Sequence, residues 1–237
     1  MNTVLFDLDG TLLPMNADLF TEAYCGALAK KLVPYGLEPK AMIAALWKGT
    51  EAMIANDGSV SNESCFWKVF EEELSITKEY LEAVMAEFYE NDFVLLEAFV
   101  ERTENAAKCI SVLKEKGYRL IIATNPLFPK QATRHRIHFA GLDENDFDLY
   151  TTFEDSHYCK PNPKFFKEIM EKLNLNPEDC IMVGNDVQED GVATKVGISC
   201  YIITDCLINR AEGEIPFKTG TFDDFMIEIQ SWPSVKS

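Results

Sequence analysis

Between Thr103 and Ile203 the chain couples short apolar runs to amphipathic stretches in strict alternation, and few folds accept that pattern. The runs Tyr118 to Ala123, Leu149 to Phe153, Cys180 to Val183 and Ser199 to Ile203 read as strands. Helices are expected between them. One follows Thr103 as N-cap, with Ala106, Ala107, Ile110 and Leu113 on one face and a stop at Gly117. A second covers Lys130 to Phe139. A third starts at the Asn162-Pro163 cap and carries Phe165, Phe166, Ile169, Met170 and Leu173, and a fourth lies near Gln188 to Val196. Parallel neighbours need a crossover of a dozen or more residues, usually a helix, so this order implies an α/β fold with a mainly parallel sheet and helices on both faces. Residues 3 to 6, Thr-Val-Leu-Phe, supply one more buried strand at the N-terminus.

A different rhythm separates that first strand from the rest. From about Ala17 to Tyr89 apolar residues recur every three or four positions: Phe20, Tyr24, Ala27 and Leu28; Met42, Ala45 and Leu46; Phe66, Val69 and Phe70; Leu81, Val84, Met85 and Phe88. Turn-like stretches divide the sets, and four helices without a strand read as a separate bundle. Trp47, Lys48 and Trp67 are expected in its core or rim. A last helix is expected at Phe222 to Ile229, and Asp205 to Ser237 receives no role.

Composition removes several partners. The 22 basic and 39 acidic residues leave a net charge of −17, which repels nucleic acid and anionic membranes at long range. Seven cysteines without a CxxC pair speak against zinc or disulfide frameworks. The N-terminus lacks a secretory pattern and no apolar run is long enough to span a bilayer, so the expectation is a cytoplasmic protein. Oligomeric state is not legible.

In an open parallel sheet the ligand sits beyond the carboxyl ends of the strands, where polar residues converge. Four such groups stand there: Asp7 and Asp9 with Gly10 and Thr11; Thr124 and Asn125; Lys160; and Asn185, Asp186 and Asp190. Carboxylates crowded at one sheet edge repel each other unless a hard cation joins them, and Mg²⁺ takes oxygen ligands. Asp7 and Asp186 can supply two, with a backbone carbonyl near Asp9 as a third. Lys160 and Thr124 then offer a positive charge and a hydroxyl to phosphate oxygens, the set that phosphoryl transfer needs. His135, His138 and His157 lack paired spacing and read as surface or helix residues.

Asp7-Leu-Asp-Gly-Thr-Leu, Ile121-Ile-Ala-Thr-Asn125, Lys160-Pro-Asn-Pro163 and Val183-Gly-Asn-Asp186 with Asp190 resemble, in order, the four motifs of the haloacid dehalogenase-like hydrolases. The resemblance implies a Rossmann-like α/β core formed by residues 1–14 and 96–237, with a helical-bundle cap domain inserted at 15–95. It implies a nucleophile at Asp7, a general acid/base at Asp9, and phosphate binding by Thr124, Asn125 and Lys160. Magnesium ligation falls to Asp7, Asp9 through its carbonyl, and Asp186, with Gly10, Thr11, Asn185 and Asp190 in support. Relatives often read Gly-Asp where this chain has Gly184-Asn185-Asp186, so the fourth-motif ligand is Asn185 or Asp186; Asp186 is favoured for its charge. The function so implied is a Mg²⁺-dependent phosphatase acting on a small phosphorylated metabolite through an aspartyl-phosphate. A phosphomutase using the same intermediate, or a non-catalytic phosphate-binding or signalling protein, are the alternatives.

Overall fold

The computed structural model describes residues 1–211 and 213–235. Glu212, Lys236 and Ser237, part of the expected core segment, lie outside the described residues. Six parallel strands form one sheet: β1 (Thr3–Phe6), β2 (Arg119–Ile122), β3 (Leu149–Tyr150), β4 (Cys180–Gly184), β5 (Ser199–Ile203) and β6 (Lys218–Gly220), in the order β3-β2-β1-β4-β5-β6. Side chains of a strand alternate between faces, and the core divides accordingly. Leu5, Ile121 and Met182 pack with Phe165, Phe166 and Ile169 on one side, while Val4, Phe6, Leu120, Ile122 and Val183 face the opposite, larger core. The strand β6 was not anticipated, because Lys-Thr-Gly offers no apolar run and its pairing to β5 is visible only in three dimensions.

Helices α1 (Ala17–Leu32), α2 (Pro39–Ile54), α3 (Asn62–Leu74) and α4 (Lys78–Glu87) follow β1, and a π turn and a 3₁₀ helix extend the helical run to Phe99. Side chains of Asn16, Glu38, Ser61 and Thr77 accept backbone N–H groups at the four N-termini, satisfying donors that a helix start leaves free. Gly49 permits α2 and α3 to approach closely: a Cβ there would stand 2.6 Å from the Phe66 ring. The excursion leaves and re-enters the core at one point, where Met15 and Val100 pair.

This helical unit is bound to the sheet domain by aromatic contacts and by peptide groups. Tyr24 and Phe93 set their rings 5.2 and 6.2 Å from Phe128 of the core. The first two amides of α3 donate to core carbonyls, Asn62 N to Ser156 O at 2.8 Å and Glu63 N to Phe153 O at 2.9 Å. The Asn62 side chain is fully buried, donating toward Pro126 O and Cys159 Sγ and accepting from Asn56.

The core helices are α5 (Glu104–Glu115), α6 (Lys130–Phe139), α7 (Pro163–Leu173) and α8 (Phe222–Ser231). Thr103 occupies the N-cap position of α5, although its side chain makes no capping bond. The helix expected near Gln188 to Val196 is instead a turn leading into a 3₁₀ helix at Gly191–Val196. Carboxylates bind the amides of this turn: Gln188 N and Glu189 N bond Asp186 Oδ1, and Asp186 N bonds Asp190 Oδ2. Among the described residues no helix is long and apolar enough to cross a membrane.

Candidate active site

Strand register brings the polar clusters to one edge. Phe6 lies beside Ile122 and Val183, so Asp7, Thr124 and Asn185 all emerge just beyond the ends of the three central strands. Asp7 N still bonds Val183 O at 2.9 Å, which holds the start of the first-motif loop to β4. The loop then turns sharply at Gly10, whose φ of +84° favours glycine. A Cβ at Gly10 would also stand 2.4 Å from Asn185 Nδ2.

Lys160 is the electrostatic centre. Its side chain is only 2 % exposed, and Nζ donates to Asp7 Oδ1 at 2.9 Å and Asp190 Oδ1 at 2.7 Å. Burial alone works against the ammonium, yet Asp190 and Asp7 outweigh it and hold Lys160 well above the usual lysine range. Burial pushes the Asp7 carboxyl up to about 7 despite the pull of Lys160, and the charges of Asp190 and Asp9 add to the rise. Asn125 fixes the Lys160 segment: its Oδ1 accepts from Lys160 N at 3.1 Å, and its Nδ2 donates to Lys160 O at 3.3 Å and Glu189 Oε2 at 3.1 Å. The Asn125 carboxamide is thus engaged with protein groups. Thr124 is buried, and its carbonyl accepts from the Thr151 hydroxyl at 2.5 Å.

The two fourth-motif candidates point into different surroundings. Asn185 lies along the first-motif loop, accepting from Thr11 Oγ1 at 3.1 Å and donating to Cys206 O at 2.7 Å. Asp186 turns into its own loop, where Oδ1 takes two backbone amides and Oδ2 accepts from Arg210 Nη1 at 2.6 Å. The segment from Cys206 to Arg210, without a role in the sequence, proves to be a strap over this turn. Val187 N bonds Ile208 O, Ile208 N bonds Asn185 O, and Arg210 N bonds Gln188 Oε1, each at 2.9 Å.

Arg136 is the residue that the sequence hid. It lies on the inner face of α6, 1 % exposed, and its Nη1 bonds Asp9 Oδ2. The other oxygen of Asp9, Oδ1, is buried without a partner. Lys48, by contrast, pairs with Glu73 on the surface. A cavity of about 590 Å³ lies between the helical unit and the core, lined by Tyr24, Phe66, Trp67, Tyr89 and Phe128 among others; Asp7, Asp9 and Lys160 do not line it. Among the described residues no three His, Cys, Asp or Glu side chains are gathered as a ready metal cage. The crowding of Asp7, Asp9 and Asp190, whose charges raise the Asp7 carboxyl, nevertheless fits a cation bound by oxygen ligands.

Known proteins share the sequence pattern and the fold. A family model described as haloacid dehalogenase-like hydrolase matches residues 1–195. The chain is 26% identical over 231 residues to pyrophosphatase PpaX of Bacillus cereus, covering 98% of this chain and 94% of that one. It is 32% identical over 123 residues to glyceraldehyde 3-phosphate phosphatase of Methanothermobacter thermautotrophicus, covering 50% of each. Among solved structures, a HAD phosphatase from Thermococcus onnurineus superposes with a TM-score of 0.62 at 20% identity, covering 99% of this chain and 100% of that one. The HAD-hydrolase YfnB from Bacillus subtilis, bound to magnesium, gives a TM-score of 0.58 at 18% identity over 97% and 98% of the two chains.

Proposed function

This chain belongs to the haloacid dehalogenase-like hydrolases, and we propose that it is a Mg²⁺-dependent phosphatase that hydrolyses a small phosphomonoester through a phosphoryl group carried on Asp7. The observation that carries the reading is the buried Lys160 ammonium held between Asp7 and Asp190, with Asp9 two residues beyond Asp7 on the same loop. A carboxylate nucleophile, a fixed cation beside it and a second carboxylate within the same turn make up the machinery for splitting a phosphate ester in two steps.

In the first step an Asp7 carboxylate oxygen bonds phosphorus while the ester P–O bond breaks, its electron pair leaving with the alkoxide oxygen. Asp9, protonated, gives its proton to that oxygen. In the second step water attacks the phosphorus, Asp9 takes a proton from it, and the bond to Asp7 breaks. Thr124 and Lys160 bind phosphate oxygens, and Asn125 keeps the Lys160 segment in place. Asp7, the Asp9 carbonyl and Asp186 would hold Mg²⁺, with Asp186 exchanging Arg210 for the ion and Asn185 as the neighbouring candidate. When bound, the ion would neutralise charge on the transferred phosphoryl group. Residues 15–95 form the cap of this reading, and residues 1–14 with 96–237 its catalytic core.

The test is release of inorganic phosphate from p-nitrophenyl phosphate with Mg²⁺ and with EDTA. Inorganic pyrophosphate belongs in the same panel, because the pyrophosphatase relatives span nearly the whole chain. Activity that depends on Mg²⁺, disappears in Asp7→Asn, and leaves acid-stable phosphate on the wild-type protein after quenching is expected. Turnover in Asp7→Asn within tenfold of wild type would remove the nucleophile and the reading with it.

A further inference from the structure

The periodicity of α6 assigns its inward face to Ala132, Thr133, Ile137 and Phe139, and in that face stands a guanidinium. A buried cation is costly unless its hydrogen bonds and charge are met. Arg136 is met from three sides, with its Nε alone left without a partner. Nη1 bonds Asp9 Oδ2, Nη2 donates to Thr133 Oγ1 at 3.1 Å, and the guanidinium lies 4.5 Å from the Phe128 ring centre. The stacked ring and the hydroxyl fix the plane of the guanidinium, and the bond to Asp9 transmits that orientation to the carboxylate. The Asp9 side chain as a whole is part-exposed, with Oδ2 held by Arg136 and Oδ1 buried and unpartnered.

We propose that Arg136 is a positioning residue for Asp9: its grip on Oδ2 fixes the plane of the carboxylate that exchanges a proton with the leaving group and the hydrolytic water. This rests on the reading of Asp9 as the general acid/base. The position follows from chain geometry, since α6 begins just beyond the loop that carries Thr124 and Asn125 and its second turn returns over the first motif. Arg136 thereby ties the orientation of the proton carrier to the same loop that holds Lys160.

The experiment compares kcat/KM for phenyl phosphate and p-nitrophenyl phosphate, whose leaving groups differ in their need for a proton. Asp9→Asn should lose about 10²- to 10⁴-fold with phenyl phosphate and clearly less with p-nitrophenyl phosphate. Arg136→Met should lose at least about 10-fold with the same bias toward phenyl phosphate, and the double variant should fall no more than about twofold below Asp9→Asn alone, because the two residues act as one unit. Arg136→Lys should recover part of the loss. Thr133→Val, which keeps the fold volume, should show a smaller loss with the same bias and serves if Arg136→Met does not fold. A loss equal for both substrates, or one that adds fully to that of Asp9→Asn, would overturn the positioning role and leave Arg136 as a stability residue. An Asp9→Asn loss without leaving-group bias would instead overturn the acid/base reading, and the proposal with it.

Discussion

Replacing Lys160 by methionine retains most of the side-chain volume and deletes the charge, which isolates the electrostatic part of its role. In the wild type the ammonium serves two buried carboxylates, at 2.9 Å from Asp7 and 2.7 Å from Asp190. Removing one partner from a buried ion pair costs about 3–5 kcal/mol, because the charge left behind has neither water nor a counter-ion. For a chain of this size each kcal/mol shifts the melting temperature by roughly 2–4 °C, so the variant should melt about 6–20 °C below wild type. Circular-dichroism melts in EDTA at about pH 7.5 measure this. Acidification should narrow the gap, since a proton on Asp7 removes one of the two repelling charges. The double variant Lys160→Met/Asp190→Asn, which removes one of the two carboxylate charges and keeps an acceptor for Asp186 N, should regain at least half of the loss. A drop below about 2 °C, or one that is the same at pH 5 and 7.5, would refute the account of Lys160 as the neutralising centre of the site.

The Asp7 carboxyl, raised to about 7 from an unfolded value of 3.8, binds its proton more tightly in the folded chain, so metal-free stability should fall as pH rises from about 4 to 7. Melts across that range should show a shallower slope in Asp7→Asn; an unchanged slope assigns the pH dependence elsewhere. Asp186→Ala should raise the Mg²⁺ concentration for half-maximal activity more than Asn185→Ala, since an ionised oxygen binds the ion more strongly than an amide. The reverse order would move the ligand to Asn185, whose carboxamide lies against Gly10 and Thr11.

The strand-end residues were legible because their meaning is local. An apolar strand that stops at Asp-Leu-Asp-Gly-Thr announces both the turn and the crowded carboxylates, and Asn162-Pro163 announces the helix that follows Lys160. Periodicity likewise exposed the four long helices after β1, whose inward residues do recur at three and four. What stayed hidden depends on partners remote in sequence. Arg136 reads as one more polar residue in a basic helix until Asp9, 127 positions away, is seen beneath it. The helix expected from Gln188 is a turn and a short 3₁₀ helix although Asp186 caps its first amides, and the apolar spacing does not distinguish the two. The strap from Cys206 to Arg210 binds through backbone groups and through two side-chain contacts, Arg210 to Asp186 and Asn209 to Gln188, whose partners stand 24 and 21 positions away.

The attachment of α3 to the core is of the same kind. Its first two amides, which an isolated helix would give to water, bond the carbonyls of Ser156 and Phe153. Lifting the helical unit away must therefore strip two helix-end donors from their acceptors and rehydrate the buried Asn62 amide, all within a few residues of Lys160 and Asn125. The two main-chain donors are indifferent to which side chains occupy positions 62 and 63, whereas the Asn62 side chain adds bonds of its own to Pro126 O and Cys159 Sγ. Substitutions on the facing helices can reshape the cavity between helical unit and core while the two main-chain bonds keep the unit seated in one register.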